Sequence, residues 1–195
     1  MADSSVAIRP PEPRDCEAFL EAAAASRTLH SPWVQPPSSA AEFQLYLRRF
    51  DGRSHLSRLV CLAGTGAFVG VVNLNHIVRG YLQNATLGFY AFVPHAGHGL
   101  MQQGLRLVLR EAFHTLALHR VEANIQPGNH RSLRFVAQAG FSREGYSARY
   151  LYINHAWRDH ERWALLAEDF SPDLPPPPPR RRAAQGSPHT PGDSP

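Results

Sequence analysis

The feature that most restricts the fold is the run from Phe89 to Met101, FYAFVPHAGHGLM. An apolar, aromatic segment closes at a proline, two glycines follow with one residue between them, and a helical pattern begins. That pattern continues through Leu100, Leu105, Val108, Leu109, Ala112 and Leu116, a spacing that lays one apolar face along a helix. A strand must therefore turn into an amphipathic helix within a few residues. Glycines allow a tight turn and close approach of a ligand. The free N–H groups and dipole of a helix start suit an anion such as a pyrophosphate. A glycine turn that merely joins strand to helix reads the same way, so both meanings stand on these residues.

The rest of the chain supplies elements that such a unit can pack against. Asp15 is expected to cap a helix that runs to the AAAA stretch, with Glu17 in its first turn. Ser39-Ala-Ala-Glu42 reads as a capping box, and Phe43, Tyr46, Leu47 and Phe50 carry a second helix to Gly52. Leu59–Leu62 and Phe68–Leu74 read as strands around Gly64-Thr65-Gly66, and Thr86–Val93 as a strand closed by Pro94. Arg120–Ile125 is a strand, Ser132–Ala139 a short helix ended by Gly140, and Ser142–Ile153 and Trp157–Leu166 two strands joined at Asn154-His155. This order predicts an α/β domain with one mixed central sheet and helices on its faces.

A second junction stands at Pro127-Gly-Asn129-His-Arg-Ser132, where a strand passes into a helix. Asn129 and Ser132 put an amide and a hydroxyl there, suited to a ligand or to helix capping.

The ordered set resembles the GNAT superfamily of N-acetyltransferases, and within it the RimJ/RimL branch of ribosomal-protein N-terminal acetyltransferases. The matching pieces are Gly97-His-Gly99-Leu-Met101, His119-Arg-Val-Glu122, Asn129-x-x-Ser132, Gly140-Phe141, Glu144-Gly-Tyr146 and Trp157-Arg-Asp-His160, with Ile8-Arg-Pro and Asp15 fitting the first strand and helix. The resemblance covers nearly all of residues 6–168. It implies a single GNAT-type domain whose sheet is splayed where acetyl-CoA binds. The pyrophosphate would rest on the amides of the loop Ala96, Gly97, His98, Gly99, Leu100 and Met101, and the pantetheine arm on the backbone near Phe92 and Val93. Asn129 would hold the pantetheine side, and Ser132 would stand near the sulfur and protonate the thiolate. Trp33, in the loop between the first two helices, would wall the acceptor site, with Tyr146 and Tyr150 beside it; for all three, ordinary packing is the competing reading.

Three positions depart from the pattern. Ala96 stands where many relatives carry Gln or Arg, and Met101 where Gly or Ala closes the loop, so phosphate binding leans on backbone amides and on Arg131 or Arg134. Val136 occupies the place of a tyrosine acid, which leaves the acid role to Ser132 or water.

An amine attacks a thioester only when neutral. An α-amine, with a pKa near ~7.7–8.0, is partly neutral at pH 7, whereas a lysine amine at ~10.4 is almost wholly charged. An α-amine enzyme can work with a weak base. Few carboxylates lie near the expected cleft: Thr86 stands where many relatives have Glu, and Glu122 is the remaining candidate base, with an Arg-paired structural carboxylate as its alternative. The expected activity is acetylation of the α-amino end of a protein, a ribosomal protein by resemblance, with association with the ribosome consistent with it. A small-molecule amine such as an antibiotic or polyamine, or a non-catalytic binding role, are the competing readings.

Composition bounds the rest. With 195 residues, 43% of them hydrophobic, the chain can bury one proper core. The folded domain is expected over 5–170, and 171–195, Pro- and Arg-rich with five consecutive prolines, is expected as a solvated tail. The formal charge of +4 is modest and spread along the chain, which gives no nucleic-acid footprint. Cys16 and Cys61 form no CxxC pair, and His95-x-x-His98 lacks further ligands, so no metal is expected. The start MADSSVAIRP has neither a basic nor an apolar signal region, and no run reaches membrane-spanning length, so the expectation is cytoplasmic without a membrane partner. A monomer and a homodimer fit equally.

Overall fold

The computed structural model describes residues 5–171. The expected Pro/Arg-rich tail, beyond Ser171 itself, lies outside the described residues. The elements are β1 (Val6–Arg9), α1 (Cys16–Ala25), α2 (Arg27–His30), α3 (Ala40–Arg49), β2 (Leu56–Leu62), β3 (Phe68–Val78) and β4 (Asn84–Ala91), followed by α4 (Leu100–Arg110), β5 (Arg120–Ile125), α5 (His130–Gln138), β6 (Ser142–Ile153) and β7 (Ala156–Leu166). One π-helical turn, Glu111–Thr115, extends α4.

The seven strands form one open sheet in the order β1-β2-β3-β4-β5-β7-β6. Every neighbouring pair is antiparallel except β4 and β5, which run parallel. Alternation along the strands gives the sheet two apolar faces. On one, Val60, Val72, Leu74, Leu87, Val121, Ala123 and Ile125 pack beneath α4 and α5. On the other, Leu59, Cys61, Val71, Tyr90 and Phe92 meet Phe19 of α1 and Phe43 of α3. The helix predicted from the 3.6-residue spacing buries Leu105, Val108 and Leu109 as its stripe. It lies so close to the sheet that a Cβ at Gly104 would fall 2.5 Å from both Val60 methyl groups.

β4 and β5 pair over only four positions, Asn84–Leu87 against Arg120–Ala123. Beyond them β4 runs on to Ala91 paired with β3 alone, and β5 to Ile125 paired with β7 alone. The sheet therefore opens into a wedge. Phe92 donates its N–H to the Val69 carbonyl at 2.8 Å. Because peptide groups alternate along a strand, those of Phe89 and Ala91 face the open side. Part of that edge is satisfied from the helical side: His30 Nε2 donates to the Ala91 carbonyl at 2.8 Å, and Val93 donates its N–H to Ser26 Oγ at 2.9 Å.

Several local expectations are corrected. Asp15 precedes α1 but does not cap it with its side chain. Its carboxylate accepts two bonds of 2.7 Å from Arg9 and one of 2.7 Å from the Glu12 amide, which ties β1 to the helix entry. The capping box is only half formed. Ser39 Oγ accepts from the Glu42 amide at 3.2 Å, while the Glu42 carboxylate binds Ser38 rather than the Ser39 amide. α3 ends at Arg49, short of Gly52, and α5 begins two residues before Ser132 because Asn129 is its cap.

Candidate active site

The wedge between β4 and β5 is the centre of a cavity of about 970 Å³ that passes from one face of the sheet to the other. One end is lined by Ala96, Gly97, Gly99, Met101, Gln102, Asn129, Arg131, Ser132 and Arg134, the other by His30, Trp33, Val34, Leu151, Ile153 and His160. Gly88, Phe89, Tyr90 and Ala91 of β4 and Asn124 and Ile125 of β5 form the throat between them.

The first end is built from two helix starts. Gly97 and Gly99 adopt φ of +87° and +77°, conformations that glycine takes without steric cost. Gly99 is the N-cap of α4, and its carbonyl already accepts from the amides of Gln102 and Gln103. The amides of Leu100 and Met101 have no acceptor within the helix. At α5, Asn129 Oδ1 accepts from the Ser132 amide at 3.1 Å. Capping is thus the job of Asn129, and the Ser132 hydroxyl, on the cavity wall, makes no hydrogen bond among the described residues. Arg131 and Arg134 are exposed at the same end. Val136 is fully buried and belongs to the core, so that position offers no acid.

Within the wall, Gln102 Oε1 and Nε2 and Asn124 Oδ1 are buried without hydrogen-bond partners among the described residues. Leaving such groups unpaired costs about 1–3 kcal/mol each. A ligand rich in amides and carbonyls would satisfy them. Together with the glycine turn and the two arginines, these groups fit the phosphates and pantetheine arm of CoA.

The structure does not bring every expected residue to the cavity. Phe92 is buried among the aromatic residues under α1, and the Val93 amide is taken by Ser26, which leaves the backbone of Phe89 and Ala91 as the open edge. The side chains of His98 and Leu100 do not line the cavity: His98 is exposed and Leu100 enters the core. Glu122 is not on the wall either. Its carboxylate accepts from Arg120 at 2.8 Å and from Arg162 at 3.4 Å, the geometry of a structural ion pair. Tyr146 and Tyr150 also lie outside it. The Tyr146 hydroxyl donates to Asp159 and the Tyr150 ring packs on His160, with centroids 5.9 Å apart. Ser147 is the register partner of His160, and Leu151 and Ile153, an even number of residues further along β6, share that face instead. Trp33 does line the cavity.

Two buried histidines of the wall, His30 and His160, are 4% and 2% exposed and entered no site reading from sequence. Burial pushes both below the usual histidine range, outweighing the hydrogen bonds to the carbonyls of Ala91 and Arg158. Among the described residues no group of three or more His, Cys, Asp or Glu side chains is arranged to hold a metal ion. No helix of those residues is long and apolar enough to cross a membrane.

A mixed sheet splayed beside a glycine turn and helix start, with a cavity through the splay, is the architecture of the GNAT domain. The chain belongs to the acetyltransferase (GNAT) domain family, whose model matches residues 5–142. It is 41% identical over 107 residues to the probable N-acetyltransferase YjcK of Bacillus subtilis, covering 55% of this chain and 59% of that protein. It is 38% identical over 104 residues to the [ribosomal protein uS5]-alanine N-acetyltransferase of Escherichia coli, covering 53% and 54%. The chain thus spans a little over half the length of the curated relatives it matches. Among solved structures, Mycobacterium smegmatis RimJ in complex with CoA-disulfide superposes with a TM-score of 0.75 at 28% identity, over 85% of this chain and 84% of that one. A spermidine N-acetyltransferase of Vibrio cholerae, in complex with CoA and spermine, superposes with a TM-score of 0.72 at 21% identity, over 85% and 98%, and shares the fold.

Proposed function

We propose that the protein transfers an acetyl group from acetyl-CoA to the α-amino end of a polypeptide, with a ribosomal protein as the acceptor class, and that residues 5–170 are the domain that does so. The observation that carries the acceptor class is the chemistry of the wall: among the described residues lining the cavity there is no Asp or Glu. A polyamine carries several positive charges and needs carboxylates to hold them. An α-amine with a pKa near ~7.7–8.0 sheds its proton readily and needs none.

Bound acetyl-CoA supplies the thioester that makes the acetyl group transferable. Gly97, Gly99 and the first amides of α4 hold its phosphates, with Arg131 and Arg134 beside them. The outward-facing N–H groups of Phe89 and Ala91 are fixed donors for charge that develops on the carbonyl oxygen, where preorganised dipoles act most strongly. Ser132, with an uncommitted hydroxyl, delivers a proton to the departing sulfur. Holding amine and carbonyl together in the throat supplies much of the rate.

A second cavity, of about 830 Å³, adjoins the first and shares His30, Ser31 and Val34 with it. It gives the residues behind an acetylated end a place to lie, which a small amine does not need.

The test is acetylation, read by mass spectrometry, of a peptide with a free Ala or Ser end, an N-blocked peptide with an internal lysine, and a set of small amines. Label on the free-ended peptide alone supports the proposal. Label on the small amines alone overturns it.

A further inference from the structure

Resting on the proposed acetyl transfer, the cavity raises a question of proton flow, since among the described residues its wall has no carboxylate to receive the proton that the amine loses. The imidazoles of the wall are those of His30, His130 and His160. His130 is the first residue of α5 and stands exposed at the end that holds the phosphates. His30 gives its outer nitrogen, Nε2, to the Ala91 carbonyl, which commits the nitrogen at the far edge of its ring as a donor. His160 is held the other way round. Its inner nitrogen, Nδ1, donates to the Arg158 carbonyl at 2.9 Å. That bond sets the tautomer and leaves Nε2 as an unprotonated acceptor at the far edge of the ring.

The position of His160 follows from register. Ile125, the last residue of β5, pairs with Glu161, so His160 sits level with the point where β5 has left β4. Leu151 and Ile153 flank it on the same wall. The charged and titratable groups around the ring are Asp159 beside it on β7, Tyr150 packed on it from β6, and Arg162 stacked 5.6 Å from the far ring of Tyr150. The Asp159 carboxylate is committed to the Tyr146 hydroxyl and the Arg149 amide, so it forms no dyad with the imidazole.

The geometry points to His160 as the general base of the transfer, a catalytic residue that accepts the amine proton on Nε2. The nitrogen lone pair of the neutral amine forms a bond to the carbonyl carbon, and the carbon–sulfur bond breaks with its electron pair on sulfur. The proton released from nitrogen passes to Nε2 of His160 and then to solvent. The sulfur takes its proton from Ser132, which is reprotonated from water.

The experiment is the pH dependence of kcat/KM toward a free-ended peptide for the wild type and for His160→Gln. In the wild type two groups must be neutral, amine and imidazole, so log kcat/KM rises with slope 2 at low pH and slope 1 nearer neutrality. In His160→Gln we expect slope 1 throughout and a loss of about 100-fold. Unchanged circular dichroism and acetyl-CoA affinity show that the variant folds. Nitrogen NMR of the wild-type histidines, which needs no variant and no turnover, is expected to show His160 protonated on Nδ1 alone at neutral pH. A His160 ring protonated on Nε2 overturns the inference, and so does a variant that keeps wild-type rate and the slope of 2. Absence of transfer by the wild type overturns the proposed function itself, and transfer by the wild type with an unchanged variant overturns only the base.

Discussion

The indole of Trp33 rests against Gly128 across the cavity: a Cβ built on Gly128 would lie 3.2 Å from Trp33 Cη2. The contact joins the loop between α2 and α3 to the turn that leads into α5, and so connects the two ends of the cavity over the throat. The same loop is tied to the β6–β7 turn, where Asn154 accepts from Gln35 at 2.7 Å and donates to the Pro32 carbonyl at 2.6 Å.

Removing the indole should weaken the acceptor and spare the donor. For Trp33→Ala we expect KM for the peptide to rise about tenfold, equivalent to about 1.4 kcal/mol of lost contact, with acetyl-CoA affinity within about twofold. Gly128→Ala should push the ring by a few tenths of an ångström and give a smaller rise in the same constant. Initial-rate kinetics with each substrate varied in turn provide the check.

The glycine turn makes the opposite prediction. At φ of +77°, an alanine in place of Gly99 carries a cost of roughly 1–2 kcal/mol. The Gly99→Ala turn relieves that cost by leaving the left-handed conformation, and restoring it on binding should weaken acetyl-CoA affinity by about five- to thirty-fold while KM for the peptide stays nearly unchanged. Isothermal titration calorimetry with CoA would measure it directly.

Ser132 and Glu122 should separate chemistry from stability. Ser132→Ala removes an uncommitted hydroxyl from the cavity wall and should lower kcat without shifting the melting temperature. Glu122→Gln weakens a pair held by Arg120 and Arg162 away from the wall and should lower the melting temperature while kcat stays within about twofold. Equal loss of kcat in both variants would place Glu122 in the chemistry after all.

Stability should fall on acidification through the two buried histidines. Burial lowers the folded pKa of His30 and His160 below the ordinary 6.5. Below that value the unfolded chain binds protons that the folded chain refuses, so unfolding is favoured as pH drops from about 6.5 toward the folded values. Above about pH 7 both states are neutral at these rings and the contribution is constant. The melting temperature of the wild type should decline between pH 6.5 and pH 5, and a His30→Gln/His160→Gln variant should show a shallower decline.

Local chemistry made much of the fold legible. The strand at Arg120–Ile125 and the paired strands around Asn154-His155 needed only alternation and turn residues, and the helix after Gly99 needed only its apolar stripe. The glycine turn and the cap at Asn129 belong to the same class, because each depends on residues within a few positions, whereas the competing readings at Ser132 were separated only by the structure. Asp15 shows the limit: its capping pattern was present, but Arg9, six residues earlier, claimed the carboxylate.

Whatever depended on register was decided by the tertiary structure. Glu122 looks like a base until Arg162, forty residues away in sequence, is paired across β7. Tyr146 and Tyr150 look like cavity residues until the pairing of Ser147 with His160 puts Leu151 and Ile153 on the cavity face instead. His160 stands in the matching run Trp157-Arg-Asp-His160 with no role read for it, and only the divergence of β5 from β4 gives it a cavity to face. Side-chain burial and strand register are sums over distant contacts, whereas a turn or a cap is settled by its immediate neighbours, and the chemistry of this site is built from both.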